Sequence, residues 1–369
     1  LGGLLTTTSA AEEGFVSLFN DRDLSGWVNV NGAPDTWVNR GGLIACTGKP
    51  ISMLRTERQY ENFILEAEWR HLTSGGNSGI FVWASPLAAP GVPFLRGIEV
   101  QILDNGRNAE GKNVRYTTHG DLFPTHGSTM TPTGRISGKR SFPTEERSKS
   151  SPEWNHYRVV CQDGTVRLSV NGKEVTVAKD CNYRQGYLAL ESEGAPVEFR
   201  NLRLKELPPS GATPEVSAPI ALEWRSLFTG LDLTGWTAAK TGAATWSVVD
   251  DKVLHPGGTA RDALPLLTQT EFGDMALIVD VKSDAAAPTM LLLRTRAGSP
   301  GFAVPLAGTT STAFRRFTIT VQDRSVTVQT ADQDTQRVTL PASIAPRGAV
   351  GFRPGVSGGQ LMNLYVRDL

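Results

Sequence analysis

The chain repeats itself, and that repetition limits its fold more than any other feature. SLFNDRDLSGW at 17–27 returns as SLFTGLDLTGW at 226–236, and TWVNRGGLI at 36–44 returns as TWSVVDDKV at 245–253. LRTERQYENFILEAEWR (54–70) and LLTQTEFGDMALIVDVK (266–282) share an apolar pattern, and HYRVVCQDGTVRLSV answers RFTITVQDRSVTVQ late in each half. A chain read as a tandem duplication must use a fold that one copy can complete on its own. At 369 residues it is comfortable for two such domains. A Pro- and Ser-rich stretch at 208–222 reads as the linker between domains at 14–207 and 223–369.

Each copy is written in strands. VRLSV-NG-KEVTV (166–177) is a hairpin in which Asn171-Gly172 supplies the positive φ angles of a type I′ turn. YRVVC-QDG-TVRLSV repeats the device through Asp163-Gly164 and makes a three-stranded meander. ENFILEAEWR, SGIFVWAS, GYLALES and VEFRNLRLKEL alternate in the same way, and 38 Gly and 22 Pro punctuate them. The expected class is all-β, a tandem of sandwiches or jelly rolls.

Charge and hydropathy exclude whole classes of partner. Lys plus Arg and Asp plus Glu are both 37, so no bulk field holds a nucleic acid or an anionic membrane surface. No apolar run approaches the roughly 18 to 20 residues of a spanning helix. The tail, residues 1–13, has small residues Ser9, Ala10 and Ala11 before an acidic start and reads as a secretory-signal remnant. Cys46, Cys161 and Cys181 allow either one disulfide, Cys161 with Cys181, or unpaired buried thiols.

Subtracting one copy from the other separates scaffold from chemistry. Arg70 and Tyr157 stand 87 positions apart, whereas the matching Lys282 and Phe317 stand 35 apart, so the first copy holds 52 additional residues. Among them is GIEVQILDNG (97–106), which places Ile98, Val100 and Ile102 on one face and Glu99 and Gln101 on the other. Three of the five histidines, His71, His119 and His126, fall in or beside the same segment, and Glu191 is replaced by Arg353 in the second copy. The polar face belongs to the first copy alone.

DRDLSGW, EAEWR, GGNSGIF, EVQILDN, EWNHYRV and VEFRNLRLKEL, in that order, resemble the 3-keto-disaccharide hydrolase family over residues 14–207, and the second half resembles the same fold only in its scaffold. The resemblance implies concanavalin A-like jelly rolls, a secreted or periplasmic setting, and cleavage of glycosides whose sugar carries a ketone at carbon 3. Such a ketone acidifies the carbon-2 proton, so the glycosidic oxygen can leave by elimination, and hydration of the enone completes a net hydrolysis. That route asks for a base, an acid and a group to stabilise the enolate oxygen.

The residues nominated for these roles come from their faces and loops. Glu99, His119 and His126 are the catalytic candidates, with the imidazoles suited to base chemistry near neutral pH. Gln101, Asn77, Asp104, Arg147, Glu191 and Trp83 are the substrate-binding candidates. Each has a plainer alternative: His119 and His126 as solvated loop residues, Arg147 as an exposed ion-pair partner, Asn77 as a turn former, Trp83 as core. Glu66, Glu68 and Arg70 share a face that joins the same acidic surface if the sheets coincide. Glu68, with its counterpart Asp280, reads as scaffold, pairing with Arg70 as Asp280 would with Lys282. No cofactor is required; a divalent metal on Asp121, His119 or Glu99 is the alternative, though the spacing matches no strong ligand motif. The expected partner is an oxidised disaccharide or glycoside. A non-catalytic sugar-binding protein and a conventional endo-glucanase are the competing functions, and the second domain reads as an accessory module.

Overall fold

The computed structural model describes residues 14–104, 119–237, 246–250, 252–255, 264–283, 287–306, 313–355 and 358–369, so the tail read as a signal remnant lies outside the described residues. The chain forms two antiparallel β-sandwiches. In the first, one sheet runs in the order Thr129–Pro132, Lys173–Asn182, Thr165–Val170, Asn155–Gln162, Phe63–His71, Val197–Glu206, Ile44–Cys46, Trp37–Asn39, with Val16–Ser17 also paired to Val197–Glu206. The facing sheet runs Arg135–Ser137, Arg140–Phe142, Leu122–Thr125, Gly97–Leu103, Asn77–Ala84, Tyr187–Ser192, Ser52–Thr56, Trp27–Val30.

The second sandwich repeats the order of the strands the two have in common. Its larger sheet runs Ser247–Val249, Lys252–His255, Gly359–Asp368, Met275–Lys282, Arg315–Gln322, Ser325–Thr330, Gln333–Thr339, with Arg225–Ser226 on Gly359–Asp368. Its smaller sheet runs Trp236–Thr237, Leu266–Phe272, Gly348–Arg353, Thr289–Thr295, Phe302–Leu306. Among the described residues, four strands of the first sandwich have no counterpart in the second: Leu122–Thr125, Thr129–Pro132, Arg135–Ser137 and Arg140–Phe142. All four come from the additional segment, whereas Gly97–Leu103, expected among the additional residues, has a counterpart in Phe302–Leu306, because both pair with matching strands.

Local chemistry accounts for the shared frame. Asn171 and Gly172 take φ of 46° and 88°, and Asp163 and Gly164 take 49° and 74°, as the meander requires. Trp27 and Trp236 are both buried, and each indole N–H donates to a backbone carbonyl nine residues upstream, Leu18 O at 2.8 Å and Leu227 O at 2.7 Å. Ile98, Val100 and Ile102 enter the first core; a fully buried side chain of this size contributes about 1.5–3 kcal/mol. The three cysteines are buried free thiols.

The sandwiches pack against each other through a third apolar cluster. Val30, Met53, Phe81, Tyr187 and Ala189 of the first meet Ile278 and Tyr365 of the second. Ile278 and Tyr365 are register partners; at the equivalent register the first sandwich pairs Glu66 with Arg203. One copy thus offers an apolar docking face where its sister offers ions. Glu66 is bonded to Arg203 Nε at 2.7 Å and to Arg158, and these bonds outweigh burial to hold its carboxyl below the usual glutamate range. The expected Glu68–Arg70 and Asp280–Lys282 pairs are replaced by longer-range ones, because the neighbouring strands bring in better-placed partners. Glu68 accepts from Arg200 at 2.6 Å, Arg70 donates to Glu198 at 2.7 Å, and Asp280 is bound by Arg316 at 2.7 Å.

Candidate functional site

The face that carries Glu99 and Gln101 is neither solvated nor core. Both side chains are buried, at 6% and 3% exposure, and line a cavity of about 470 Å³ on the outer face of the Gly97–Leu103 sheet. That volume falls within the range of small-molecule sites. Glu66 and Glu68 do not share this face: their strand, Phe63–His71, belongs to the opposite sheet. Asn77, Phe81, Glu191 and Glu193 come from adjoining strands and the turn that follows them. Phe94, Phe123, His126 and Arg140 complete the walls, the last three from the additional segment.

Two carboxyl groups converge over one glycine. A Cβ built on Gly79 would lie 2.9 Å from Glu99 Oε1 and 3.0 Å from Glu191 Oε2, so those oxygens are less than about 6 Å apart. Burial, the larger influence, and the neighbouring Glu193 raise the Glu99 pKa well above the usual glutamate range, while the Arg140 charge pulls it the other way. Burial followed by the charges of Glu99 and Glu193 raises Glu191 in the same direction. Like charges this close in a desolvated site oppose each other's ionisation, so the pair gives up its second proton less readily than an ordinary glutamate does.

The amides brace this arrangement. Gln101 Nε2 donates to Asn77 Oδ1 at 2.8 Å and to Ser78 O at 3.1 Å, and Asn77 Nδ2 donates to Glu193. On the far wall the Arg140 guanidinium lies 3.4 Å from the Phe123 ring centroid and 3.6 Å from Asp121. The His126 ring stacks on Phe94 with centroids 5.7 Å apart. His126 is exposed at the rim, yet nearby protein desolvates the ring enough to lower its pKa.

The other nominated residues lie elsewhere, for local physical reasons. His119, at 2% exposure, packs edge-on to core Trp69 and its Nδ1 bonds Leu103 O; burial pushes its pKa down to about 3, so it is neutral and outside the cavity lining. We expect His119→Ala to cost about 1–3 kcal/mol of stability, read as a lowered Tm, with the KM for a cleaved glycoside unchanged. Trp83 would share the outer face with Phe81, but a φ of 52° breaks the alternation and turns its indole into the core, where Nε1 donates to Glu61 O at 2.7 Å. Asp104 is a loop clamp, accepting from Gly75 N at 2.7 Å and Ser151 N at 3.0 Å. Arg147 caps the Asn171-Gly172 hairpin through Val170 O and Asn171 O. Asp121, the metal candidate, is wholly buried beside Arg140 and does not line the cavity. Among the described residues no group of three or more His, Cys, Asp and Glu side chains has the geometry to hold a metal ion.

Sequence reasoning missed Glu193, Arg140, Phe94 and Phe123. Glu193 was within reach, since it stands two residues after Glu191 and alternation puts both on one face. Arg140 and the phenylalanines depend on how the inserted strands fold back, which no local pattern encodes.

At the matching positions the described residues of the second sandwich differ. In the first, Gly79 pairs with Gln101 and Phe81 with Glu99. At matching positions Met290 pairs with Pro305, Leu292 with Ala303, and Met290 also with Arg353. Gly79, Glu99, Gln101 and Glu191 thus become Met290, Ala303, Pro305 and Arg353.

Residues 14–205 match the family described as the 3-keto-alpha-glucoside-1,2-lyase-like domain. The chain belongs to that family. Membership places it with glycoside-cleaving, hydrolase-like enzymes that handle carbohydrate. A 3-keto-disaccharide hydrolase of Bacteroides thetaiotaomicron is 21% identical over 248 residues, covering 53% of this chain and 79% of that protein. A structure from Parabacteroides distasonis, provisionally called a glycosyl hydrolase, is 21% identical and covers 53% of this chain and 95% of its own, with a TM-score of 0.39. The carbohydrate-binding module CBM66 of Bacillus subtilis is 14% identical, covering 49% of this chain and 96% of its own, with a TM-score of 0.34. The cavity lies inside the span that defines the family.

Proposed function

We propose that the first sandwich cleaves glycosides oxidised to a ketone at carbon 3, by removal of the carbon-2 proton, elimination of the glycosidic oxygen and hydration of the enone. The observation that supports this reading best is the convergence of the buried Glu99 and Glu191 carboxyls above Gly79, each raised well above the usual glutamate range. A pair holding one proton contains a base and an acid at once, which is what the elimination consumes. Glu99, the member reached by the Arg140 charge, ionises and takes the carbon-2 proton. Glu191, more enclosed and flanked by Glu193, keeps its proton and delivers it to the departing oxygen. Arg140 stabilises the charge that builds on the carbon-3 oxygen, where a fixed guanidinium is worth more than solvent. Phe94 and Phe123 supply apolar surface for sugar-ring faces.

The same facing carboxyls favour a second reading, direct displacement on an unoxidised glycoside, since glycosidases of the ordinary kind also use two acids across the scissile bond. Aglycone release from a 3-keto glycoside and from its unoxidised parent separates the two. The proposal expects release from the ketone alone. Release from the parent at a comparable rate supports displacement, and binding without release from either leaves a sugar-binding protein.

A further inference from the structure

We infer that the second sandwich is a working part of the first sandwich's cavity: Asp280 and Asn363 are positioning residues that hold the loop carrying Phe94 against His126. This deepens the proposed function, since it assigns a role in substrate placement at the same site.

The loop in question, residues 85–96, connects Asn77–Ala84 to Gly97–Leu103. It is closed on itself by Ser85 N–H to Arg96 O at 2.7 Å and Ala89 N–H to Phe94 O at 2.8 Å. Some of its groups bond within the first sandwich, as Pro86 O does to Arg55 and Leu95 O to Thr125, and four of its backbone groups turn to the second. Gly91 N–H donates to Asp280 Oδ2 at 2.9 Å, and Ala88 N–H donates to the Tyr365 hydroxyl at 3.3 Å. Asn363 Nδ2 donates to Ala89 O at 3.1 Å and Val92 O at 2.9 Å. Asp280 and Asn363 are themselves buried and fixed, Asp280 by Arg316 and Asn363 by Asn31 Nδ2 at 2.8 Å.

The anchoring therefore reaches the cavity through three residues of chain. Phe94 follows Gly91 closely, lines the cavity, and stacks on His126 with an interplanar angle of 3°. Buried partners of this kind fix a backbone more tightly than solvent does, because leaving a carbonyl or amide unpaired there costs about 1–3 kcal/mol. With Asn363 present, the loop has one low-energy placement, and the Phe94 wall is set before substrate arrives. An accessory module would touch the first domain without bonding the wall of its cavity.

Asn363→Ala in the full chain tests this, because it removes the amide's bonds to Ala89 O and Val92 O, together with its bonds to Asp280 Oδ2 at 2.7 Å and to Asn31, and spares the Asp280–Arg316 pair. Its first readout is independent of any substrate: the His126 ring-proton resonances, assigned with His126→Gln, which carry the ring-current shift of the Phe94 stack. They should move toward solvent-exposed values. The second readout is a KM for the 3-keto glycoside raised about fivefold with kcat within about twofold, the signature of lost binding before the transition state. Tyr365→Phe, which deletes one oxygen, should move both readouts the same way by less and serves if Asn363→Ala folds poorly. Unmoved His126 resonances in a folded variant overturn the inference, as does an unchanged KM. If wild-type protein cleaves no glycoside, the function proposed above fails while the His126 resonances still decide the positioning.

Discussion

Replacing Glu99 with Gln should lower turnover of a 3-keto glycoside by about 10²- to 10⁴-fold, the contribution usual for an acid–base group, while the protein folds and gains stability above the ordinary glutamate range. The two effects have one cause. Glu99 is raised by burial and by Glu193, so it folds most favourably protonated; the stability this confers is present at low pH and is lost as pH rises through the raised pKa. Glutamine has no proton to lose, so the variant keeps that stability where wild type gives it up. Thermal melts should diverge in favour of the variant above the ordinary glutamate range, with the gap widening until pH passes the raised pKa and level beyond it. In wild type, kcat/KM should fall on its basic side above the ordinary glutamate range, as the pair surrenders its last proton. Equal turnover in the two proteins would remove Glu99 from the chemistry, and equal melting profiles would mean that the pair is not protonated.

Gly79→Ala carries the second large expectation. The backbone at Gly79 is not in the left-handed region, so alanine meets no conformational penalty there. Its methyl, however, would arrive 2.9 Å from Glu99 Oε1 and 3.0 Å from Glu191 Oε2, closer than carbon and oxygen rest against each other. The flexible ends of both glutamates must swing away, and the cheapest relief is to separate them. Misplacing paired groups by about 1 Å is enough to cost about 100-fold, so turnover should fall by that order with a Tm close to wild type. The pair should also uncouple, bringing the basic limb of the rate profile back toward ordinary glutamate behaviour. A variant with full activity would show that the space between the two oxygens is not where the reaction occurs.

Much of the fold was legible because the two halves carry matching strand patterns. Matching the halves exposed the shared frame: the tryptophans and the strand order recur at matching places, although the glycines of the meander turns do not. The same subtraction led to Glu99, Gln101 and Glu191, because a residue that only builds a sandwich has no reason to be absent from one copy. It failed where side-chain direction departs from simple alternation. Trp83 is turned inward by one residue of positive φ, and the backbone at Trp83 would clash with anything larger than Gly186 opposite it. His119 looked like a loop base because Gly and Pro surround it, yet Trp69 and Leu103 draw it into the interior. The acids of EAEWR do not join the Glu99 surface, because alternation reports a face but not a sheet. The role of Asn363 depends on how two copies stack, and that packing has no local signature.

The central claim, that the Glu99–Glu191 pair takes a proton from carbon 2, is tested most directly by cleaving a 3-keto glycoside in deuterated water and locating deuterium in the released sugar. Short incubations, corrected for enzyme-free exchange, should give wild-type product labelled at carbon 2, with the labelled product lost in step with turnover in Glu99→Gln. Product released at the wild-type rate with ordinary hydrogen at carbon 2 would contradict the account.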